Sequence, residues 1–491
     1  MMEQGSGKGR HAQHSARSVG ARRNWRIVVS ALVTLALFAG YVVADIYDKV
    51  PGSLTLSNGT GSRAQTLDEV REAKDVAGAA DLGKPIDKQG VEAAISALGA
   101  APGVGSDFSV AVADAHGTIV ASQNDGTPRE PASTMKTLTA LAASTTLDMG
   151  STFSTEAWLD PSSVHDGSGV VTLKGDGDML LGAGENDPSH INGRAGLASL
   201  ADQTAQSLKA RKISKIKLRY DDALFGETRY PENIAENNDG NMEYTAVSSM
   251  AVDGGRQWGG YGPDDPDTYT AYPPMSTTPT QDAAATFAQL LAARGITVDG
   301  DATKGSAAKG SARLGAVRSA TLSQVLAFTL RHSDNTLAEE FGRLTALKLG
   351  LANSPEGATK AVAAQVTKAG VDTTGLTMAD CSGLSPGSKV GVKTLVEVQA
   401  HNLQPGNGAA AAEGLSMPGL VGTARNRIED VDDAGLLRVK TGSLDEVTSM
   451  AGNVSRKGGG VLAFAVVVNN PQDLLAARNA IDALVAAMDK L

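Results

Sequence analysis

The sequence contains very little cysteine and few aromatic residues. A single cysteine, Cys381, occurs in 491 residues, so neither an intramolecular disulfide nor a multi-cysteine zinc or iron–sulfur site can form. The seven histidines include no HExxH or similar ligand motif, and we therefore expect no metal and no cofactor. Because aromatic residues make up only 4% of the chain, the core is expected to consist mainly of Ala, Val and Leu.

Positive charge is also scarce. Lys and Arg total 44 against 54 Asp and Glu, which gives a net charge of −10 and argues against nucleic-acid binding through a basic domain. Apolar residues make up 41% of the chain, a fraction that argues against wholesale disorder. The length predicts two or three domains.

The N-terminal region has the features of a membrane-targeting segment. Residues 1–26 carry six basic residues and one acidic residue, a net charge of +5, and residues 27–44 carry no charge over 18 residues. As a helix this stretch would span about 27 Å, close to one hydrocarbon core. We predict a basic cytoplasmic tail, a retained signal-anchor and an extracytoplasmic remainder. A cleaved signal peptide with the site Val42-x-Ala44, which would yield a secreted protein, remains the alternative.

The rest of the chain divides by composition. Residues 45–105 are rich in turn-forming residues and are predicted to be a stalk or linker. Residues 155–285 contain short strand-like segments and loops rich in Gly, Asp, Asn and Pro, which indicates an inserted, mostly β domain. Residues 106–154 and 286–491 combine helical and strand patterns. We predict that they form one α/β (α+β) domain, with an antiparallel sheet flanked by helices and interrupted by the insert.

The segment Ser133-Thr134-Met135-Lys136 opens a predicted helix. Residues i and i+3 share a helix face, so the Ser133 hydroxyl and the Lys136 amine can approach each other. A buried lysine with a lowered pKa can remove the proton that keeps a serine hydroxyl weakly nucleophilic. The same segment would also suit a helix-capping serine with a solvated lysine. Two other S-x-x-K segments, at Ser214 and Ser306, do not open an apolar-faced helix.

Two further short motifs are candidates for the same site. Ser333-Asp334-Asn335 lies between two helical patterns, where Ser333 and Asn335 could point into one cleft, although a helix N-cap is an equal alternative. Lys440-Thr441-Gly442-Ser443 follows a predicted strand at residues 436–439. Its Lys and hydroxyl groups could bind a substrate carboxylate, and Gly442 would let a substrate backbone approach closely. A simple strand-to-turn transition is the alternative.

Together and in this order, the three motifs resemble those of the penicillin-recognising serine D,D-peptidase superfamily. Ser333 lies 200 positions after Ser133, and this separation resembles the large insertion of one branch, the D-alanyl-D-alanine carboxypeptidase/endopeptidases of penicillin-binding protein 4 type, peptidase family S13. Further local matches are Pro131–Lys136, Gly175–Asp178, Tyr220–Asp222 with Phe225, Ala338-Glu339 and Asp380–Ser385. In the last segment Cys381 replaces the family's first glycine, so we assign that loop no catalytic role. The resemblance covers roughly residues 106–491.

The resemblance implies a β-lactamase/transpeptidase-like fold and an acyl-enzyme mechanism. Ser133 would attack the D-Ala–D-Ala carbonyl, with Lys136 as its base. Ser333 would relay a proton to the leaving amine, and Asn335 would bind the substrate amide and Lys136. The terminal carboxylate would be held by Lys440, Thr441 and Ser443, and Gly442 would complete this substrate-binding segment. The backbone N–H groups of Ser133 and Ser443 would form the oxyanion hole.

The partners implied by the resemblance are peptidoglycan stem peptides as substrates and β-lactam antibiotics as covalent inhibitors. The family name also implies endopeptidase activity on cross-links. Two alternatives remain open at this point: another acyl-serine hydrolase of the same fold, such as an esterase or β-lactamase, and a catalytically silent wall-binding scaffold. Cys381 has no evident partner histidine and is expected to be a small buried residue.

Overall fold

A computed structural model describes residues 16–46, 84–269, 271–404, 408–428, 435–457 and 459–491. The chain forms two compact units, Met1–Ala79 and Ala80–Leu491. The first unit contains one described helix, α1 (Ala16–Ile46), which includes the predicted anchor at residues 27–44. In the described part of the chain, no helix is both long enough and apolar enough to cross a membrane. Much of the predicted tail, residues 1–15, and of the predicted stalk, residues 47–83, lies outside the described residues.

The second unit contains the remaining described helices and strands. Its helices are α2 (Lys88–Ala100), α3 (Lys136–Thr146), α4 (Leu197–Ala210), α5 (Pro279–Ala293), α6 (Leu322–His332), α7 (Asn335–Lys348), α8 (Pro355–Lys368), α9 (Val392–Asn402), α10 (Ala409–Glu413) and α11 (Leu474–Ala487). Its strands are β1 (Phe108–Asp114), β2 (Ile119–Gln123), β3 (Thr152–His165), β4 (Ser168–Gly175), β5 (Asp178–Leu181), β6 (Lys215–Asp221), β7 (Met250–Val252), β8 (Thr297–Val298), β9 (Thr303–Lys304), β10 (Ala312–Thr321), β11 (Leu437–Leu444), β12 (Val447–Ser455) and β13 (Val461–Asn469).

A five-stranded antiparallel sheet with the order β11-β12-β13-β1-β2 forms the centre of this unit. Side chains alternate between its two faces, and β13 shows the consequence. Phe464 and Val466 pack in the cluster that includes α2 and α11, whereas Ala463 and Ala465 pack in the cluster that includes α3 and α9. The small side chains on the second face permit close approach of the helices. The predicted antiparallel sheet flanked by helices is therefore confirmed.

A second sheet, with the order β10-β3-β4-β6-β8, occupies the region of the predicted insert. It is mixed, since β4 pairs with β6 and β6 with β8 in parallel, and α4 and α5 contribute to its core. The predicted boundaries at residues 155 and 285 are too narrow, because β3 begins at Thr152 and β10 ends at Thr321. Phe287 and Leu314 lie beyond residue 285 yet bury their side chains in the same core as Leu173. The insert is also less purely β than expected.

The predicted stalk also differs from the structure at its C-terminal end. Residues 88–100 form α2, which Asp87 caps through its side chain and the backbone N–H of Gly90 at 3.1 Å. Val91, Ile95 and Leu98 are spaced along one helix face and are buried in the core of the five-stranded sheet. This helix therefore belongs to the folded unit and not to a linker.

Candidate active site

Ser133 and Lys136 are brought together by a tight turn. Ser133 lies in a 3₁₀ turn, Ala132–Met135, and Lys136 is the first residue of α3. Nζ of Lys136 lies 2.8 Å from Oγ of Ser133. The serine hydroxyl reaches the cleft described below, whereas the lysine side chain is buried beneath it. This arrangement places an accessible serine hydroxyl against an amine that water does not reach.

The buried position of Lys136 changes its chemistry. Its Nζ also lies 2.6 Å from Oδ1 of Asn335 and 3.0 Å from the carbonyl oxygen of Ser382. Burial lowers the pKa of the Lys136 amine to about 8, against the opposing influence of the Asp380, Asp334 and Glu243 carboxylates. A substantial fraction of the amine is therefore neutral near physiological pH and can accept a proton.

The Ser333-Asp334-Asn335 motif forms the junction between α6 and α7. Ser333 follows the last residue of α6 in the left-handed conformation, with φ of 56°. Asp334 caps α7 by accepting a hydrogen bond from the backbone N–H of Leu337 at 2.8 Å. Asn335 donates to the carbonyl oxygen of Glu243 at 2.9 Å, while its Oδ1 faces Lys136. Both interpretations of the tripeptide therefore apply: Asp334 caps the helix, and Asn335 contacts Lys136.

The Lys440-Thr441-Gly442-Ser443 segment lies within β11, which continues to Leu444 and does not end before Lys440 as predicted. The Lys440 amine is fully buried, with Nζ 2.9 Å from Oγ of Ser333 and 2.7 Å from the carbonyl oxygen of Thr441. Burial and the neighbouring Lys136 lower the pKa of Lys440 well below its ordinary value. Thr441 and Ser443, unlike Lys440, line the cleft. Their hydroxyl groups are therefore placed to meet a substrate carboxylate.

Gly442 is required for the approach of β11 to the turn that carries Ser133. A Cβ atom on Gly442 would lie 2.2 Å from Oγ of Ser449, 2.8 Å from the carbonyl oxygen of Pro131 and 3.1 Å from the backbone nitrogen of Ser133. Ser449 itself donates to the Pro131 carbonyl at 2.7 Å. The sequence analysis attributed this glycine to a close approach of substrate. The structure shows that the protein's own backbone approaches here.

The three motifs meet at one open cleft of about 510 Å³. The predicted site residues that line it are Ser133, Ser333, Asn335, Thr441 and Ser443. Part of the opposite wall comes from loops of the insert region that sequence reasoning did not select, namely Glu243, Arg256, Tyr269 and Tyr272. These residues lie in irregular segments without a recognisable motif, so the sequence carried no signal for them.

The loop Asp380–Ser385 supports Lys136 from below. The Asp380 carboxylate accepts hydrogen bonds from the backbone N–H groups of four successive residues, 382 to 385, and from the Ser382 hydroxyl. This folds the loop so that the Ser382 carbonyl faces Lys136. Gly383 has φ of 81°, and a Cβ there would lie 2.0 Å from the Ala132 carbonyl oxygen. The loop therefore positions the Lys136 amine, a role that the sequence analysis did not assign.

Cys381 is fully buried within this loop. Burial, with the nearby carboxylates of Glu339 and Asp380, raises the pKa of its thiol well above the ordinary value. A Cβ on Gly342 would lie 2.2 Å from its sulfur, so the thiol fills the space beside that glycine. Cys381 thus has the environment of a packing residue and not of a nucleophile.

Among the described residues, one group could hold a metal ion. His190, Asp265 and Asp267 offer ligand atoms that lie within 4.8 Å of one another. The Asp267 carboxylate already accepts hydrogen bonds from the backbone N–H groups of Ile191 and Asn192 and so connects two loops. None of these residues belongs to the three motifs.

Comparisons with known proteins agree on one family. The model of the D-Ala-D-Ala carboxypeptidase 3 (S13) family matches residues 91–259 and 265–491. Carboxypeptidase DacB of Mycolicibacterium smegmatis is 32% identical over 419 residues, which cover 83% of this chain and 86% of that protein. Carboxypeptidase Rv3627c of Mycobacterium tuberculosis is 31% identical over 408 residues, covering 81% and 83%. The crystal structure of penicillin-binding protein 4 (dacB) from Haemophilus influenzae has a TM-score of 0.65 at 20% identity, covers 82% of this chain and 99% of that one, and supports the fold.

Proposed function

Because the chain belongs to the D-Ala-D-Ala carboxypeptidase 3 (S13) family, we propose that it removes the terminal D-alanine from peptidoglycan stem peptides through an acyl-enzyme on Ser133. The resemblance inferred from the three motifs is confirmed at the level of the family, and the chain is a serine-type D-Ala-D-Ala carboxypeptidase. The observation that carries the assignment of Ser133 is the 2.8 Å separation between its Oγ and the buried Lys136 amine, at the floor of the cleft.

The proposed acylation step uses two lysine–serine contacts, Lys136 with Ser133 and Lys440 with Ser333. The neutral Lys136 amine takes the proton of Ser133 as Oγ attacks the carbonyl carbon of the penultimate D-alanine. The oxyanion that forms would be held by the backbone N–H groups of Ser133 and Ser443. When the intermediate collapses, the C–N bond breaks and the leaving D-alanine amine takes a proton from Ser333, whose hydroxyl lies 2.9 Å from the Lys440 amine. Ser333 acts as a relay and regains its proton from the Lys136 ammonium, which returns Lys136 to the neutral form. Water then hydrolyses the ester and releases the shortened peptide.

Substrate recognition is assigned to the edge of β11. The hydroxyl groups of Thr441 and Ser443 line the cleft and would bind the free carboxylate of the substrate or of a penicillin. Oγ1 of Thr441 also lies 2.8 Å from Oγ1 of Thr423, which orients it. The Lys440 amine is buried behind these groups, so it would act on Ser333 by direct contact and not on the substrate carboxylate.

The same contacts bear on the alternative functions raised by the sequence. A silent wall-binding scaffold would not need a lysine buried against each of two serines, an arrangement that costs desolvation energy. An esterase or β-lactamase of the same fold would share these contacts, and the family match favours the carboxypeptidase. Endopeptidase activity on cross-links remains a prediction from the family name.

A direct test combines mass spectrometry with product release. After incubation with a labelled penicillin, the adduct is expected on the peptide that contains Ser133, and Ser133→Ala should form none. Ser214→Ala and Ser306→Ala alter the other two S-x-x-K segments and serve as matched controls that should be labelled normally. Wild-type protein should release the terminal alanine from a peptide ending in D-Ala–D-Ala and not from one ending in D-Ala–L-Ala. Label on another residue, or fast hydrolysis of the penicillin without D-alanine release, would contradict the proposal.

We also propose that residues 27–44 anchor the chain in the cell membrane, with the catalytic unit on the extracytoplasmic side. The support is the uncharged 18-residue stretch behind a net charge of +5. The full chain should sediment with membranes, and a chain lacking residues 1–45 should be released and still bind penicillin. A full chain found only in the soluble fraction, with residues 1–44 absent, would instead support the cleaved signal peptide.

A further inference from the structure

Arg256 lies at the wall of the cleft and contacts the junction that contains Ser333. It follows β7 and the tight turn Asp253–Gly255, and its side chain is only 6% exposed. Nη2 of Arg256 lies 2.5 Å from Oδ2 of Asp334, and Nη1 lies 3.1 Å from the carbonyl oxygen of Asp253. The second carboxylate oxygen of Asp334 caps α7, so a single carboxylate connects the guanidinium to that helix.

The same guanidinium also supports the other side of Ser333. It lies over the ring of Tyr269, 4.7 Å from the ring centroid. Tyr269 stacks on His332, with ring centroids 4.3 Å apart and an interplanar angle of 14°. His332 and Asp334 are the two sequence neighbours of Ser333. Both are therefore held, directly or through one ring, by Arg256.

Ser333 needs such support because of its backbone conformation. Its φ of 56° is in the left-handed region, which is unfavourable for a residue with a side chain and persists where the surroundings enforce it. This conformation directs Oγ of Ser333 to Lys440 and leaves Asn335 against Lys136. A relaxed junction would separate these pairs, and differences of about 1 Å in such contacts can lower rates by about a hundredfold.

We propose that Arg256 is a positioning residue for acyl transfer, which holds Asp334 and His332 so that Ser333 faces Lys440 and Asn335 faces Lys136. The inference rests on the proposed function, since it depends on the roles of Ser333 and Asn335. Arg256 comes from the insert region, whereas Ser133 and Lys136 belong to the segment around α3. The insert would thus contribute to the geometry of the reaction as well as to the wall of the cleft.

Arg256 also balances charge near the base. The carboxylates of Asp380, Asp334 and Glu243 all raise the pKa of Lys136, and Lys136 in turn lowers the pKa of the neighbouring Lys440 amine. Arg256 is paired with one of these carboxylates, Asp334. Removing the guanidinium would leave the Asp334 charge unopposed, so the pKa of Lys136 should rise and acylation should need a higher pH.

The test measures the second-order rate constant for acylation by a fluorescent penicillin as a function of pH. Arg256→Gln should lower the plateau rate at least about tenfold, the effect of losing a hydrogen bond to a charged group, and should move the acidic limb of the profile to higher pH. Adding Asp334→Asn to Arg256→Gln should return the limb towards the wild-type position without restoring the plateau. Arg229→Gln is a matched control, because Arg229 is a mostly buried arginine of the insert region that pairs with Asp222 and lies outside the cleft lining. Its limb should not move.

Two results would overturn the inference. One is an Arg256→Gln protein whose acylation rate and acidic limb match those of the wild type. The other is an equal loss of rate in Arg256→Gln and Arg229→Gln, with the acidic limb of both variants at the wild-type position. If Arg256→Gln fails to fold, Arg256→Lys retains the charge and loses the paired donors. It should keep the wild-type limb with a reduced plateau, and a wild-type plateau in that variant would also overturn the inference. Absence of any adduct in the wild-type protein would count against the proposed function and not against the role of Arg256.

Discussion

Acylation is expected to depend on pH through the Lys136 amine. Lys136 is 1% exposed, and burial lowers the pKa of its amine to about 8. Only the neutral amine can take the Ser133 proton, so the rate should rise with pH and level off above about pH 9. Below the pKa the neutral fraction falls about tenfold for each pH unit. Between the plateau and pH 6 the rate should therefore fall about 100-fold, equivalent to about 2.7 kcal/mol.

The measurement is the second-order rate constant for acylation by a fluorescent penicillin between about pH 6 and pH 10. It is obtained from the rate at which labelled protein accumulates at low penicillin concentration, where the pH profile reports the free enzyme. Penicillin suits this purpose because its own carboxylate is ionised across the whole range. A parallel thermal-stability measurement at each pH separates loss of rate from loss of fold. The profile should show one acidic limb with an apparent pKa of about 8.

A neighbouring carboxylate allows the assignment of this limb to be tested. The charge of Glu243 raises the pKa of Lys136, so Glu243→Gln should move the limb to lower pH. Glu236 also lines the cleft but is not among the groups that shift Lys136, and Glu236→Gln serves as the matched control. A rate that is constant between pH 6 and pH 8 would refute the argument, as would a limb that both variants move equally. A limb near the ordinary lysine pKa of about 10.4 would show that burial does not tune this amine.

Three further predictions concern β11 and the thiol. Gly442→Ala should lower penicillin acylation at least about tenfold, because the new Cβ must displace either Ser449 or the Ser133 turn; a wild-type rate in stopped-flow acylation would contradict this close approach. Lys440→Ala should slow acylation by a carboxylate-bearing ester and by its amidated analogue to a similar extent, because the buried Lys440 amine contacts Ser333. Thr441→Val should slow mainly the reaction with the carboxylate-bearing ester, because the Thr441 hydroxyl lines the cleft. The reverse pattern would return carboxylate recognition to Lys440. The thiol of Cys381 should resist alkylation in the folded protein and react after denaturation, as followed by intact mass, and rapid labelling of the folded protein would contradict its burial.

The sequence by itself indicated the family and the general type of fold. Ser133 and Lys136 could be paired because residues three apart on a helix face are neighbours, so their 2.8 Å contact follows from a local rule. The antiparallel sheet was indicated by strand-like alternation, which is equally local. The order of the three motifs and the separation of 200 positions from Ser133 to Ser333 pointed to the family.

Only the tertiary structure decided which way the other groups face. The sequence analysis assigned Lys440 to a substrate carboxylate, but its place in β11 buries the amine against Ser333, 107 residues earlier in the chain. Likewise, Arg256 and Tyr269 carry no motif and reach the site because loops of the second sheet fold against the end of α6. Such contacts join residues far apart in sequence, and local periodicity contains no information on which distant side chain will complete them. The sequence could therefore select Ser133 and Lys136, the proposed nucleophile and base, whereas the groups that hold them in place followed from the way the loops and helices of the two sheets pack together.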